Sequence, residues 1–354
     1  MQFRIATFNV ENLIPPGIRY YDRLKDEPEF YEAKANWIAA ILNRAKADIV
    51  GLQEVWLEEA IRDVAKRCFH FGESVYVAAP GATRLENLTG HVAKRPRLGL
   101  ISRFPIREAT STVAFPDTVD LTIPLRVDGG VIQPIAIPIR QFQRPVLRAL
   151  IDVNGFELIV YVAHLKSKGP MIGEGEDGAS PFIASLGQAR ATMVRAAEAA
   201  ALRHVILADL SHSKKPAIVL GDLNDTPDAA STQIVRGPSP HRDMTYEEKR
   251  ALWDVVLYST FRIAHERSPQ IHTHIHEGER NILDHIFVSE EFYSRNHDRV
   301  GEVVRHDVIN DHLRDDERDP RLPGSSDHGV PIAEIKLLDR GGPASTSEYP
   351  DTNA

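Results

Sequence analysis

Eight residues of this chain have types and positions that could do chemistry together: Asn9, Glu54, His164, Asp222, Asn224, Asp284, Asp327 and His328. Each stands at one end of a short apolar run. Asn9 and Glu11 follow Ile5-Ala6-Thr7-Phe8, Glu54 follows Ile49 to Gln53, and His164 follows Leu158 to Ala163. Asp222 and Asn224 follow Ile218 to Gly221. Asp284 and His285 precede Ile286-Phe287-Val288, and Asp327 and His328 precede Val330 to Ile335. Short runs of Val, Ile and Leu are the pattern of buried strands. Strand tips on one sheet edge can converge in one polar crevice. Residues two apart in a strand point the same way, which pairs Asn9 with Glu11 and Asp222 with Asn224.

Several acids with Asn make an oxygen-rich site. Such a site suits Mg²⁺ best, with Mn²⁺ or Ca²⁺ as alternatives. No Cys cluster or His-Glu-x-x-His motif occurs, which disfavours zinc. Phosphoester hydrolysis needs a cation, an acceptor for the proton of water and donors for transition-state charge. Carboxylates, Asn and two His supply those parts.

The elements that must position these residues alternate along the chain. Tyr31 to Lys46 places Trp37, Ile38, Ile41, Leu42 and Ala45 on one helical face. Ser185 to His204 is alanine-rich, with Ala189, Met193, Ala196 and Ala200 at helical spacing, and Pro227 to Val235 reads as a short helix. Residues 110–150 carry Pro-broken apolar runs with little helical period, the pattern of antiparallel strands. The expected class is α/β (α+β), with a mixed sheet or two stacked sheets and outer helices. Gly169 to Pro181 and Asp307 to Ser326 read as loops. Residues 1–338 read as one domain, and residues 339–354 as a disordered tail.

Composition narrows the class less than the motifs do. The chain has 354 residues, 42% hydrophobic and 26% charged, as in an ordinary globular protein. The single cysteine, Cys68, excludes an internal disulfide and reads as a core residue at a helix end. No stretch reaches the ~18 apolar residues of a membrane span. The first residues alternate like a strand rather than a signal peptide, so the default expectation is cytoplasmic. A net charge of −8 neither favours nor excludes nucleic acid, since a carboxylate metal site is acidic until its cation binds.

Six segments carry a resemblance. They are Thr7-Phe8-Asn9-Val10-Glu11-Asn12, Gly51-Leu52-Gln53-Glu54-Val55, Ala163-His164-Leu165-Lys166-Ser167-Lys168, Gly221-Asp222-Leu223-Asn224-Asp225, Leu283-Asp284-His285-Ile286 and Ser326-Asp327-His328-Gly329-Val330-Pro331. In that order they resemble the motif set of the endonuclease/exonuclease/phosphatase (DNase-I-like) superfamily, from residue 3 to about 336. The resemblance implies a four-layer sandwich of two central mixed β-sheets flanked by helices. It implies Glu54 and Asn9 as metal ligands, with Asp327 supporting the metal or His328. It implies Asp222 as the group that orients or deprotonates water, and Asn224 as a holder of phosphate oxygen. Asp284 would orient His328, and His164 would donate to phosphate or the leaving oxygen. Glu11 stands where some members have Asp.

Each residue also has a structural reading. Asn9 alone could end a strand, Glu54 could face a helix start, and Asp222 to Pro227 could be a turn and helix cap. The order of the whole set favours the functional reading for these three. Asp311-His312 lies in a charged loop and reads as solvated surface. His285 points opposite to Asp284. His272, His274 and His276 alternate and could suggest a metal clip, but with no Cys or acid at ligand spacing they read as a partly exposed strand. Arg280 could reach phosphate or lie on the surface.

Lys94-Arg95-Pro96-Arg97 and Lys166-Ser167-Lys168 are candidate phosphate-backbone contacts. Asp225-Thr226 stands where the 5-phosphatase branch has Tyr-Arg, and Gln53-Glu54-Val55-Trp56 departs from the Gln-Glu-Thr-Lys of abasic-site enzymes. The His164 to Lys168 run resembles bacterial nucleases of the superfamily. The leading expectation is a divalent-metal-dependent phosphodiester hydrolase, a nuclease on DNA or RNA with Lys166, Lys168 and Arg280 at the substrate. The alternative is a phosphatase or phosphodiesterase on a small-molecule or lipid phosphoester.

Overall fold

A computed structural model of the chain describes all residues except 21–22, 26–27, 82–94, 127–131, 212–214, 239–240, 265–270, 277, 295, 315–321, 323 and 339–354. The expected disordered tail therefore lies outside the described residues, as does Lys94. The N-terminal half forms β1 (Gln2–Leu13), β2 (Ile18–Tyr20), β3 (Arg23–Lys25), α1 (Pro28–Ala45), β4 (Ile49–Val55), α2 (Glu58–Arg67), β5 (Tyr76–Ala78), β6 (Arg97–Ser102), β7 (Ile106–Ala114), β8 (Ile123–Arg126), β9 (Ile132–Ile135), β10 (Gln141–Val153) and β11 (Phe156–His164). There follow α3 (Pro181–Leu210), β12 (Ala217–Asp222), α4 (Ala230–Arg236), α5 (Tyr246–Trp253), β13 (Tyr258–Ser259), α6 (Thr260–Ile263), β14 (His274–His276), β15 (Glu279–Asn281), β16 (Asp284–Val288), β17 (Gly301–Ile309) and β18 (Val330–Leu337).

Two six-stranded mixed sheets stack face to face. One has the order β17-β18-β1-β4-β6-β5, the other β13-β16-β12-β11-β10-β7. β1 pairs parallel with β4 and β11 with β12, while β18, β6, β10 and β16 run antiparallel to their neighbours. Among the described residues, strand alternation sorts most buried side chains into three cores, beside a small cluster of Ile14, Ile18, Trp56 and Leu57. Phe3, Ile5, Ile49, Leu158, Val160, Val162, Ile218, Leu220, Ile286 and Ile335 fill the space between the sheets. Ala6, Phe8, Val50 and Leu52 pack under α1 and α2. Ile159, Tyr161, Ala217 and Val219 pack under α3. The result is the expected four-layer α/β sandwich. Gly51 lies where the sheets approach: a Cβ there would sit 3.0 Å from Leu220 Cδ1 and 3.1 Å from Val162 Cγ2.

Two expectations change, and the reading of Cys68 as a core residue at a helix end holds. The buried face of α3 runs through Ala191, Arg195, Glu198, Leu202 and Ile206, whereas Ala189 and Met193 are exposed. Polar residues occupy that face because they are paired: Arg195 Nε donates to Asp225 Oδ2 (3.1 Å), and Glu198 accepts from the backbone N–H of Gln143 and Lys166. Asp307 to Ile309 complete β17 rather than opening a loop. Cys68 is a buried residue just past α2, and burial pushes its thiol up to about 12.

Candidate active site

The strands of both sheets end at a common edge, and there the alternation that places apolar residues between the sheets turns polar. Asn9 continues the inward row Phe3, Ile5, Thr7 of β1. His164 ends the row Leu158, Val160, Val162 of β11, Asp222 ends Ile218, Leu220 of β12, and Asp284 opens Ile286, Val288 of β16. Glu54 has the wrong parity for this cleft, since Val50 and Leu52 face the helices. A left-handed backbone at Glu54 (φ 59°), with a register shift before Val55, turns it inward. Gly221 (φ 152°) precedes Asp222, and a Cβ there would meet the Ala163 carbonyl oxygen at 2.0 Å. Only glycine fits that approach.

Asp222 Oδ2 is the focus of the crevice. It accepts from Asn9 Nδ2 (3.1 Å) and Asn224 Nδ2 (3.2 Å), with His164 Nε2 at 3.4 Å and His328 Nε2 at 3.8 Å. Asp222 Oδ1 accepts from the Asn224 backbone N–H (2.8 Å), an Asx turn that the left-handed Asn224 (φ 55°) completes. Glu54 Oε1 lies 3.5 Å from Asn9 Nδ2. His328 Nδ1 lies 2.8 Å from Asp284 Oδ2. Ser326 Oγ donates to the Asn9 carbonyl (2.7 Å) and accepts from His328 N–H (3.0 Å), tying the β18 approach to β1.

Burial sets the protonation states. It lifts the Glu54 carboxyl, against the opposing charges of Arg144 and His328. It also lifts Asp222, where Asp284 adds to the effect and His328 and Asn9 oppose it. Burial, with Arg144 and His328 nearby, holds His164 well below its ordinary range. His328 is also buried, but Asp284 and Asp222 overcome that penalty and raise it well above its ordinary range. The two histidines are therefore biased in opposite directions, His164 toward the neutral ring and His328 toward the cation.

Asp222, Asp284 and His328 each offer a ligand atom within 4.8 Å of the others, and so do His274, Asp327 and His328. Asp284 Oδ1 is buried with no hydrogen-bond partner. Glu54 and Asp222 crowd further negative charge into the same cleft. A divalent cation offsets such crowding, and the oxygen donors fit a hard ion.

A fold with its acids, Asn and His on one edge meets an independent match. The sequence fits the Endonuclease/Exonuclease/phosphatase family over residues 6–328. The chain belongs to that family. A search of curated proteins finds no match. Among solved structures, an endonuclease/exonuclease/phosphatase family protein from Bacteroides thetaiotaomicron is 16% identical, with a TM-score of 0.54 over 96% of this chain and 98% of that one. The mannosyl-6-phosphatase Bt3783 of the same organism is 16% identical, with a TM-score of 0.53 over 95% and 100%. A humanized D. rerio TDP2 is 14% identical, with a TM-score of 0.53 over 95% and 99%. These likenesses establish the shared fold. Family membership and the His/Asp groups support metal-assisted phosphoester hydrolysis in general terms.

Within this endonuclease/exonuclease/phosphatase fold, Asn9, Glu54, His164, Asp222, Asn224, Asp284 and His328 come together. Asp327 stands at the mouth, 4.0 Å from His328 Nε2. Glu11 does not follow Asn9 by strand alternation, because its own φ is 50° and the register shifts after Asn9. Lys166 Nζ turns back to Ser167 and Gly169, and Lys168 lies 3.7 Å from Asp225. Arg280 is exposed on β15 opposite Ile275, so it occupies the other face of the hairpin from His274. Arg97 pairs with Val55, next to Glu54. His285 turns away and reaches the Asp225 carbonyl (2.8 Å).

Asp311 is exposed and bridges to Arg44, as a surface residue should. His312 is not on the surface. It is buried edge-on against Trp37, with Nε2 2.8 Å from the His328 carbonyl. Trp37 supplies a lid that a loop reading could not foresee.

One residue escaped the sequence reading and another was read only as part of a strand face. Arg144, near the start of β10, has Nη1 3.4 Å from the Leu165 carbonyl and a buried Nε without a partner, and its charge bears on Glu54 and His164. A register shift between Gln141 and Val146 hides its direction from any alternation rule. His274 packs its ring 5.1 Å from that of His328, and its only signal was the His272/His274/His276 alternation.

Proposed function

We propose that the chain is a divalent-metal-dependent phosphodiesterase acting as a nuclease on DNA or RNA, with residues 1–338 as its catalytic domain. The convergence of Asn9, Asn224, His164 and His328 on the Asp222 carboxylate carries this reading. A divalent cation, Mg²⁺ by donor chemistry, held by Asn9, Glu54 and Asp327, would neutralise a phosphate oxygen. Asp222, its oxygens fixed by the two asparagines, takes the proton of the attacking water. His328, oriented by Asp284 and charged, donates to the phosphate. Neutral His164 assists at the leaving oxygen. Arg97, Arg144, Lys166 and Lys168 lie along the same edge and supply positive charge for a polyanionic backbone. Arg280 contributes only if the hairpin turns.

Incubation of the purified chain with single- and double-stranded DNA and with RNA, in Mg²⁺, Mn²⁺ or Ca²⁺ with and without EDTA, tests this. Cleavage that EDTA abolishes is the expected result. A mannosyl-6-phosphatase shares the fold at 16% identity, so phosphorylated sugars belong in the panel. Turnover of phosphomonoesters without nucleic-acid cleavage would replace the nuclease by the small-molecule phosphatase alternative.

A further inference from the structure

The β14–β15 hairpin lays His274 against the catalytic crevice. An isolated β-bridge joins His274 to His328, and their rings stand 5.1 Å apart. One ligand atom each from His274, Asp327 and His328 falls within 4.8 Å of the other two. Asp284 engages Nδ1 of His328 at 2.8 Å. In the neutral ring, that leaves the proton on Nδ1 and the lone pair on Nε2, which lies 3.8 Å from Asp222 Oδ2 on the inner side and 4.0 Å from Asp327 Oδ1 toward the mouth. A carboxylate behind an imidazole is the arrangement that orients metal-binding histidines. The Asp327 side chain is 42% accessible, so a cation can enter from solvent.

We propose that His274, Asp327 and His328 form a regulatory site for a Zn²⁺-class cation, and that its occupation stops the reaction. Two imidazoles and one carboxylate, with a position left for water, favour Zn²⁺ and its neighbours in the affinity order of divalent metals. Asn9 and Glu54 offer oxygen and favour Mg²⁺. A cation on Nε2 of His328 removes its proton and draws Asp327 from the Mg²⁺ site. The regulatory role rests on the catalytic role given to His328; the cation site does not.

Co²⁺ serves as a visible stand-in for Zn²⁺, titrated into the full chain at pH 8 with saturating Mg²⁺. The expected result is one ligand-field band that saturates at one equivalent. H274Q weakens Co²⁺ binding at least ~10-fold, and Zn²⁺ inhibition, read against each variant's own Mg²⁺-supported rate, weakens in parallel. D327N reproduces the loss from a different element, and far-UV circular dichroism confirms that both variants are folded. Co²⁺ binding and Zn²⁺ inhibition unchanged in H274Q would overturn the proposal. A band lost in E54Q but kept in H274Q places the cation at Glu54, which overturns the proposal while the hydrolase reading stands. A His274-dependent band in a chain that turns over no phosphoester keeps the cation site and overturns its regulatory role, together with the proposed function.

Discussion

Asp284 Oδ2 and His328 Nδ1 meet at 2.8 Å in a buried setting, and the second oxygen of Asp284 has no hydrogen-bond partner. The carboxylate fixes the ring and raises its proton affinity. Asp284→Asn keeps the shape and removes the charge. The expected outcome is a fall in kcat of ~10²-fold or more with little change in KM, the pattern for a lost acid–base orienter. The His328 imidazole, followed by NMR, should titrate lower than in the wild type. An unchanged rate would remove His328 from the chemistry.

Glu54 tests the metal. Its carboxyl is raised by burial, so without a cation the folded state favours the neutral form. Its contribution to stability is then present below the unfolded carboxylate pKa and is lost as pH rises toward the raised folded value. At neutral pH in EDTA, Glu54→Gln should melt no lower than the wild type. The same variant should need at least ~10-fold more Mg²⁺ for half-maximal activity. A destabilised E54Q with normal Mg²⁺ dependence would show a purely structural role.

Gly221 tests the scaffold behind Asp222. A Cβ would press on the Ala163 carbonyl at 2.0 Å, and φ is 152°. Gly221→Ala should cost about 3 kcal/mol or more, read from urea unfolding. The loss should not depend on metal, since the clash is between the β11 and β12 backbones.

His306 provides a pH-dependent element remote from the metal. Burial lowers it from 6.5 to about 4, and its Nδ1 lies 2.9 Å from Thr260 Oγ1. A histidine depressed by folding stabilises the protein fully above the unfolded pKa. That stability is lost as pH falls from 6.5 through about 4. The loss amounts to about 3 kcal/mol at full protonation. Denaturation midpoints measured from pH 7.5 to 4 should fall less steeply in His306→Gln. Parallel curves would assign acid sensitivity to other groups.

The alternation of β1, β11, β12 and β16 could be read from residue types because a two-residue period is local. The inward rows Phe3-Ile5 and Leu158-Val160-Val162 continue along their strands to Asn9 and His164 at the sheet edge. The same rule failed at Glu11 and would have failed at Glu54, where positive φ breaks the period. Helix α3 misled for a different reason. Alanine is equally at home on either face, so burial fell to the side where Arg195 and Glu198 found partners.

By itself the chain of residues determined the strand-tip acids and the α/β class, because these depend on side-chain type and short-range period, while the four-layer sandwich followed from the resemblance of six ordered motifs to a family. Only the tertiary structure decided that Asp222 sits at the centre, that Arg144 brings its charge near Glu54 and His164, that His274 packs beside His328, and that His312 is covered by Trp37. Those contacts join segments that are distant along the chain. Their geometry follows from how the two sheets twist and stack, which no local spacing encodes.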